Sequence, residues 1–119
     1  MEEFIITRVY SDSHGDSLFE DIKIPLSSAG AIGYLSDRYN VESMVFRKVL
    51  PSYDYDFHTA PARQFIILLD GKIEIETSLG EKRIFIAGDI LQMDDTTGKG
   101  HKTRNLEATE RRSVFITLR

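Results

Sequence analysis

The stretch Phe65-Ile66-Ile67-Leu68-Leu69-Asp70-Gly71-Lys72-Ile73-Glu74-Ile75-Glu76 decides the fold class of this chain. Its first five residues are apolar whichever way they are counted, the pattern of a strand covered on both faces. Asp70-Gly71 carries the turn chemistry of a two-residue hairpin, which predicts that the flanking strands pair. Beyond it, Ile73 and Ile75 alternate with Glu74 and Glu76, the period of a half-buried strand. Working outward, the same period recurs. Ile22, Ile24 and Leu26 alternate with polar neighbours, and Val114, Ile116 and Leu118 alternate with Ser113, Phe115 and Thr117. Residues 4–10 and 44–50 are β-branched or aromatic runs of strand length. Leu79-Gly80 and Ala87-Gly88-Asp89 mark further reversals. The helical period is nearly missing, so the expectation is an all-β, antiparallel sandwich or barrel. Two segments do not fit a strand: 27–40, with a single helical turn expected near 36–39, and the polar, glycine-rich 94–100.

The chain has 119 residues, 41% hydrophobic and 29% charged, which predicts one globular domain over 1–119 and excludes a low-complexity segment. It has no cysteine, so disulfides, thiolate metal sites and cysteine nucleophiles are excluded. The net charge of −4 argues against a duplex nucleic-acid partner. The charge is uneven: residues 1–57 carry −5, 58–100 carry −2 and 101–119 carry +3. A basic last strand pairs with the acidic first half or contacts an anion. No apolar run reaches the ~18 residues of a membrane span, so no membrane partner is expected. Acidic Glu2-Glu3 stand where a secretory signal carries basic residues, so the expected location is cytoplasmic. The apolar run 4–10, read as an exposed edge strand, predicts a homodimer.

Among the three histidines, His14 sits in the turn-rich Ser11-Asp12-Ser13-His14-Gly15-Asp16 and reads as a solvated loop residue. His58 follows 52–56, and His101 follows the glycine-rich loop. Strand alternation predicts that His101, Thr103 and Asn105 share one face of their strand, and that His58 and Ala60 share one face of theirs. Thr97-Gly98-Lys99-Gly100 lacks the spacing of a phosphate loop and precedes a strand, though its amides with Lys99 could hold an anion.

Residues 52–105 resemble the two sequence motifs of the cupin superfamily. Ser52, His58, Ala60, Gln64 and Gly71 fall at the spacing of the first motif, in which Gly, His, His, Glu and Gly are usual. Thr96, Gly98, His101 and Asn105 match the second motif, with Thr96 in place of proline; its opening glycine would be Gly88, two residues further upstream than usual. The resemblance implies an antiparallel double-stranded β-helix, the jelly-roll or cupin barrel, with its site inside. It also implies barrels paired back to back. Metal-bearing cupins hold a divalent ion with three His and one Glu, and only His58 and His101 survive here, with Gln64 a neutral substitute donor. Asp54, Asp56, Asp94 or Asp95 could serve only if a loop folds inward.

Three functions are compatible with these residues. In the first, a small molecule, a carboxylate or carbonyl compound, binds inside the barrel to His58, Gln64, His101, Thr103 and Asn105 among apolar walls that include Ile66 and Leu68. In the second, His58, His101 and Gln64 hold Fe, Mn, Ni or Zn for an oxygenase, isomerase or lyase. In the third, the chain is a structural or interaction module with a vestigial site. Catalytic residues and ligand identity stay open.

Overall fold

The computed structural model describes residues 2–119; Met1, part of the single-domain expectation, lies outside the described residues. The described residues form twelve strands: β1 (Glu3–Ser11), β2 (Ser17–Pro25), β3 (Ser27–Ser28), β4 (Tyr34–Leu35), β5 (Val41–Val49), β6 (Asp54–His58), β7 (Gln64–Leu68), β8 (Lys72–Thr77), β9 (Lys82–Ile86), β10 (Ile90–Met93), β11 (His101–Asn105) and β12 (Arg111–Leu118). A six-stranded sheet runs β2-β1-β10-β7-β12-β5 and a four-stranded sheet runs β6-β11-β8-β9, with β3 and β4 forming a short ribbon. The all-β expectation holds. One ladder departs from the antiparallel rule, because β1 runs parallel to β10 through Thr7–Val9 against Leu91–Met93. No helix among the described residues is long and apolar enough to cross a membrane, which says nothing of strands.

Side-chain parity builds the core. Ile73 and Ile75 of β8 are buried, while Glu74 faces out to Arg104 at 2.9 Å. Val9, Phe19, Leu68, Phe85, Leu91 and Met93 join them from both sheets in one hydrophobic cluster, with Ile66 packed against it. This placement puts the core between the sheets.

The turns behave differently from their local chemistry. Leu79-Gly80 does close a hairpin, β8 onto β9, through Thr77 and Glu81. Asp70-Gly71 does not: β7 and β8 belong to different sheets, and the turn carries the chain across the core. Asp70 is occupied instead in holding β12, accepting from the Arg112 backbone N–H and Nε. Ala87-Gly88-Asp89 makes the return crossing, pinned where Gly88 N–H donates to Leu68 O and Leu68 N–H to Asp89 O. In segment 27–40 the single helical turn lies at Gly30–Ile32, not at 36–39.

The run 4–10 is no edge. It forms β1, hydrogen-bonded to β2 on one side and β10 on the other, with Ile6 and Val9 buried and Phe4 and Ile5 exposed. The edges of the larger sheet are β2 and β5, and β5 exposes Val41, Met44, Val45 and Phe46.

Candidate functional site

The glycine-rich loop sets the site by close approach. Gly100 has φ +73, and a Cβ there would overlap the His58 carbonyl and lie 2.8 Å from Thr59 N. Gly98 is likewise pressed on Gly15, where a Cβ would overlap the Gly15 carbonyl. Only glycine lets 98–100 pass this close. The loop is no anion nest: Lys99 N–H donates to Gly15 O at 2.9 Å, and Lys99 Nζ pairs with Asp16 at 2.9 Å. Its effect is to seat His101 directly opposite His58, its partner in the β6–β11 ladder.

The two imidazole rings, 43 positions apart in the chain, lie with centroids 4.5 Å apart. His58 Nδ1 lies 2.8 Å from the Asp56 carbonyl, and His101 Nδ1 lies 2.5 Å from Asp95 Oδ2. A carbonyl and a carboxylate only accept, so the proton of each ring sits on Nδ1, which leaves Nε2 of each as the nitrogen free for a further partner. Burial lowers the His58 pKa from its ordinary value, against the Asp56 hydrogen bond, and nearby His101 and Arg47 lower it further.

The adjacent aspartates separate. Asp95 turns inward and is fully buried on His101, its Oδ1 without a protein partner. Asp94 accepts from Arg8 at 2.6 Å, Gln92 at 2.9 Å and Arg63 at 3.0 Å. Burial raises the Asp94 pKa, but these donors outweigh it and hold the carboxyl below its usual range. His14 is exposed in a turn held by the Asp12 carboxylate.

A cavity of about 350 Å³ opens between the sheets. His58, Gln64, His101 and Thr103 line it, with Ile66, Leu68, Ile73, Ile75, Leu91 and Met93 as apolar wall. Ala60 lines it too, adding no donor. Asn105 stands apart. Its amide donates to Leu50 O at 3.2 Å and Pro51 O at 3.4 Å, and its Oδ1 accepts from Arg111 Nε at 2.9 Å, so it holds Arg111 and is not part of this cavity's wall.

Arg47, Tyr53, Tyr55, Arg111 and Phe115 also line the cavity, and sequence reasoning missed the arginines. On β12 the regular apolar parity is Val114, Ile116 and Leu118, yet Arg111 and Phe115 of the opposite parity face the cavity. Ile116 instead lines an outer apolar groove of about 310 Å³ with Phe4, Tyr39 and Phe65. The +3 charge of residues 101–119 was the available signal. Burial, then Arg47, lowers the Arg111 pKa below the ordinary guanidinium value. A row of rings links the cationic and imidazole ends: Tyr53 to Tyr55 at 6.2 Å, Tyr55 to His58 at 4.0 Å, and His58 to His101.

The donor set does not fit a tight divalent-metal site. It offers two imidazoles and a neutral amide, and among the described residues no group of three His, Asp or Glu converges. The nearest carboxylate, Asp95, engages Nδ1 of His101 and so buttresses the ring. Arg47 and Arg111 add positive charge to the same cavity, where a dication would be repelled.

No family model matches this sequence, and comparison with curated proteins finds no match. Among solved structures the chain is similar to a cupin 2 conserved barrel domain protein from Salinispora arenicola CNS-205, with a TM-score of 0.52 and 18% identity over 64% of this chain. The match spans 61% of that protein, less than two thirds of its length. The chain is also similar to a cupin domain from Bordetella pertussis Tohama I, with a TM-score of 0.50 and 18% identity over 64% of this chain and 79% of that one. Two facing sheets, the His58 and His101 positions and these neighbours lead to one statement: the chain has the cupin fold.

Proposed function

We propose that this chain binds a small molecule, a carboxylate or carbonyl compound, between its two sheets. The supporting observation is the 350 Å³ cavity, in which His58, Gln64, His101 and Thr103 converge among apolar walls. That volume is at the small end of the range for small-molecule sites, and the lining has their usual composition of apolar surface with few polar groups. Neutral imidazoles bearing lone pairs on Nε2 accept a hydrogen bond from a hydroxyl or acid group; protonated, they donate to a carboxylate.

The same proposal takes the two sheets as the halves of a double-stranded β-helix in one domain spanning 1–119, acting in the cytoplasm. A thermal-shift screen of small acids and carbonyl compounds tests the binding, with Ala60→Leu as the control that fills the cavity. Stabilisation of the wild type and its loss in Ala60→Leu is the expected result. No stabilisation by any compound, or equal stabilisation of both proteins, contradicts it.

We propose further that the chain forms a homodimer through β5. This strand is a sheet edge with Val41, Met44, Val45 and Phe46 exposed, and a long apolar edge left bare pairs readily with another strand.

A further inference from the structure

Arg111 occupies a nearly sealed place on the cavity wall, 3% exposed. A buried cation is ordinarily paired with a carboxylate, because removing its charge from water is costly. Among the described residues Arg111 has no ion-pair partner. Asp70 bears on it electrostatically, but both Asp70 oxygens are engaged by Arg112, at 2.6 Å to the backbone N–H and 2.7 Å to Nε. Nε of Arg111 donates to Asn105, which fixes the plane of the guanidinium, while its terminal nitrogens make no hydrogen bond with protein. Those nitrogens are not sealed. Among the described residues the sealed side-chain polar atoms lacking a partner are Asp95 Oδ1 and Ser113 Oγ. The free edge of the guanidinium therefore opens on the cavity that Arg111 lines.

Arg47 lines the same cavity, part-buried where Arg111 is sealed. It too has no ion-pair partner among the described residues, and its Cζ lies 4.9 Å from the centroid of the Tyr53 ring, with that of Arg111 5.6 Å away. Arg47 Cζ also lies 5.0 Å from the Phe115 centroid, and these cation–π contacts offset only part of the repulsion between two like charges. An anion between them removes it. Resting on the reading of this cavity as a small-molecule site, we infer that Arg47 and Arg111 are the receptor for the carboxylate of an organic ligand whose apolar body lies against Tyr53, Tyr55 and Phe115. A guanidinium fork matches a planar carboxylate with two parallel hydrogen bonds, and the aromatic and aliphatic walls favour an organic body over a small inorganic ion. The assignment moves recognition from the imidazole end, where the motif lies, to the arginine end, and makes Asn105 a positioning residue for Arg111.

The test is an NMR titration of the full chain with benzoate, benzamide and inorganic phosphate at low ionic strength, repeated on Arg111→Met and Arg47→Met. In the wild type benzoate moves the Tyr53, Tyr55 and His101 signals and binds at least about 10-fold more tightly than benzamide, the scale of a hydrogen bond to a charged group. Arg111→Met erases that preference while leaving benzamide binding in place. Arg47→Met reduces the preference several-fold, and carries the test should Arg111→Met fail to fold. Equal binding of benzoate and benzamide by the wild type, a preference that survives the substitution, or phosphate outcompeting benzoate overturns the receptor and leaves the cavity reading standing. If neither benzoate nor benzamide moves a cavity signal, the cavity reading falls with it.

Discussion

Replacing Gly100 by alanine probes how the site is assembled, and Gly80→Ala supplies the matched control. Both glycines have positive φ, +73 and +89, so each substitution carries the left-handed penalty of about 1–2 kcal/mol. At Gly80 nothing lies within 4 Å of the added Cβ, and that penalty is the whole cost. At Gly100 the Cβ overlaps the His58 carbonyl and meets Thr59 N, which are backbone atoms and cannot rotate away. The clash is relieved only by parting β11 from β6, which opens the short ladder through His58, Tyr55 and Asp54. Losing that pairing and the packing behind it adds about 3 kcal/mol, within the range of severe single substitutions. Against a typical total of about 5–15 kcal/mol, the variant is left marginal. Urea denaturation and thermal melts read the difference. At about 4 °C per kcal/mol, Gly80→Ala lowers the Tm by about 5 °C and Gly100→Ala by about 15 °C or more. NMR of Gly100→Ala should also show the His58 and His101 ring signals displaced. A Gly100→Ala protein no less stable than Gly80→Ala would refute the argument that the glycine-rich loop exists to bring the imidazoles together.

Three further outcomes follow from the same geometry. His58 has a folded-state pKa below its unfolded value of about 6.5, so the unfolded chain takes up the proton first and stability falls as pH drops below that value. Around the ring, Asp56 and Asp95 oppose this lowering while His101 and Arg47 reinforce it; His58→Gln therefore flattens the loss between about pH 7 and 5 in pH-dependent denaturation, and parallel wild-type and variant curves would contradict this. Light scattering on the wild type gives twice 13.6 kDa, and Val45→Lys on the β5 edge gives a monomer; a monomeric wild type removes the dimer proposal. Elemental analysis of untagged protein purified without chelators gives Fe, Mn, Ni and Zn well below one per chain, whereas a stoichiometric metal lost on His101→Ala would show that two imidazoles suffice.

What was legible in the sequence was period and close-packed turn chemistry. Ile73 and Ile75 against Glu74 and Glu76 gave the correct buried face of β8, because one side of that strand meets the core and the other meets solvent. The spacing of His58 and His101 brought out two residues that do share one cavity. Asp70-Gly71 was misread as a hairpin because local φ preferences describe a turn and carry no information on which sheet receives the next strand. β12 was misread for a related reason: the larger sheet is apolar on both faces, with Ile116 in the outer groove, so the more regular parity pointed away from the cavity and left Arg111 unnoticed. Asn105 fell in register with the motif, but it ends β11 beside β12, where backbone carbonyls and Arg111 engage its amide.

The most direct test of the central claim is a crystal structure of the protein soaked with 4-bromobenzoate, with the bromine located by anomalous scattering. The expected result is a bromine peak between the sheets, the carboxylate within hydrogen-bond distance of Arg111, and the ring beside Tyr53 and Phe115. A peak only in the outer groove by Tyr39 and Phe65, or an interior closed by side chains, would contradict it.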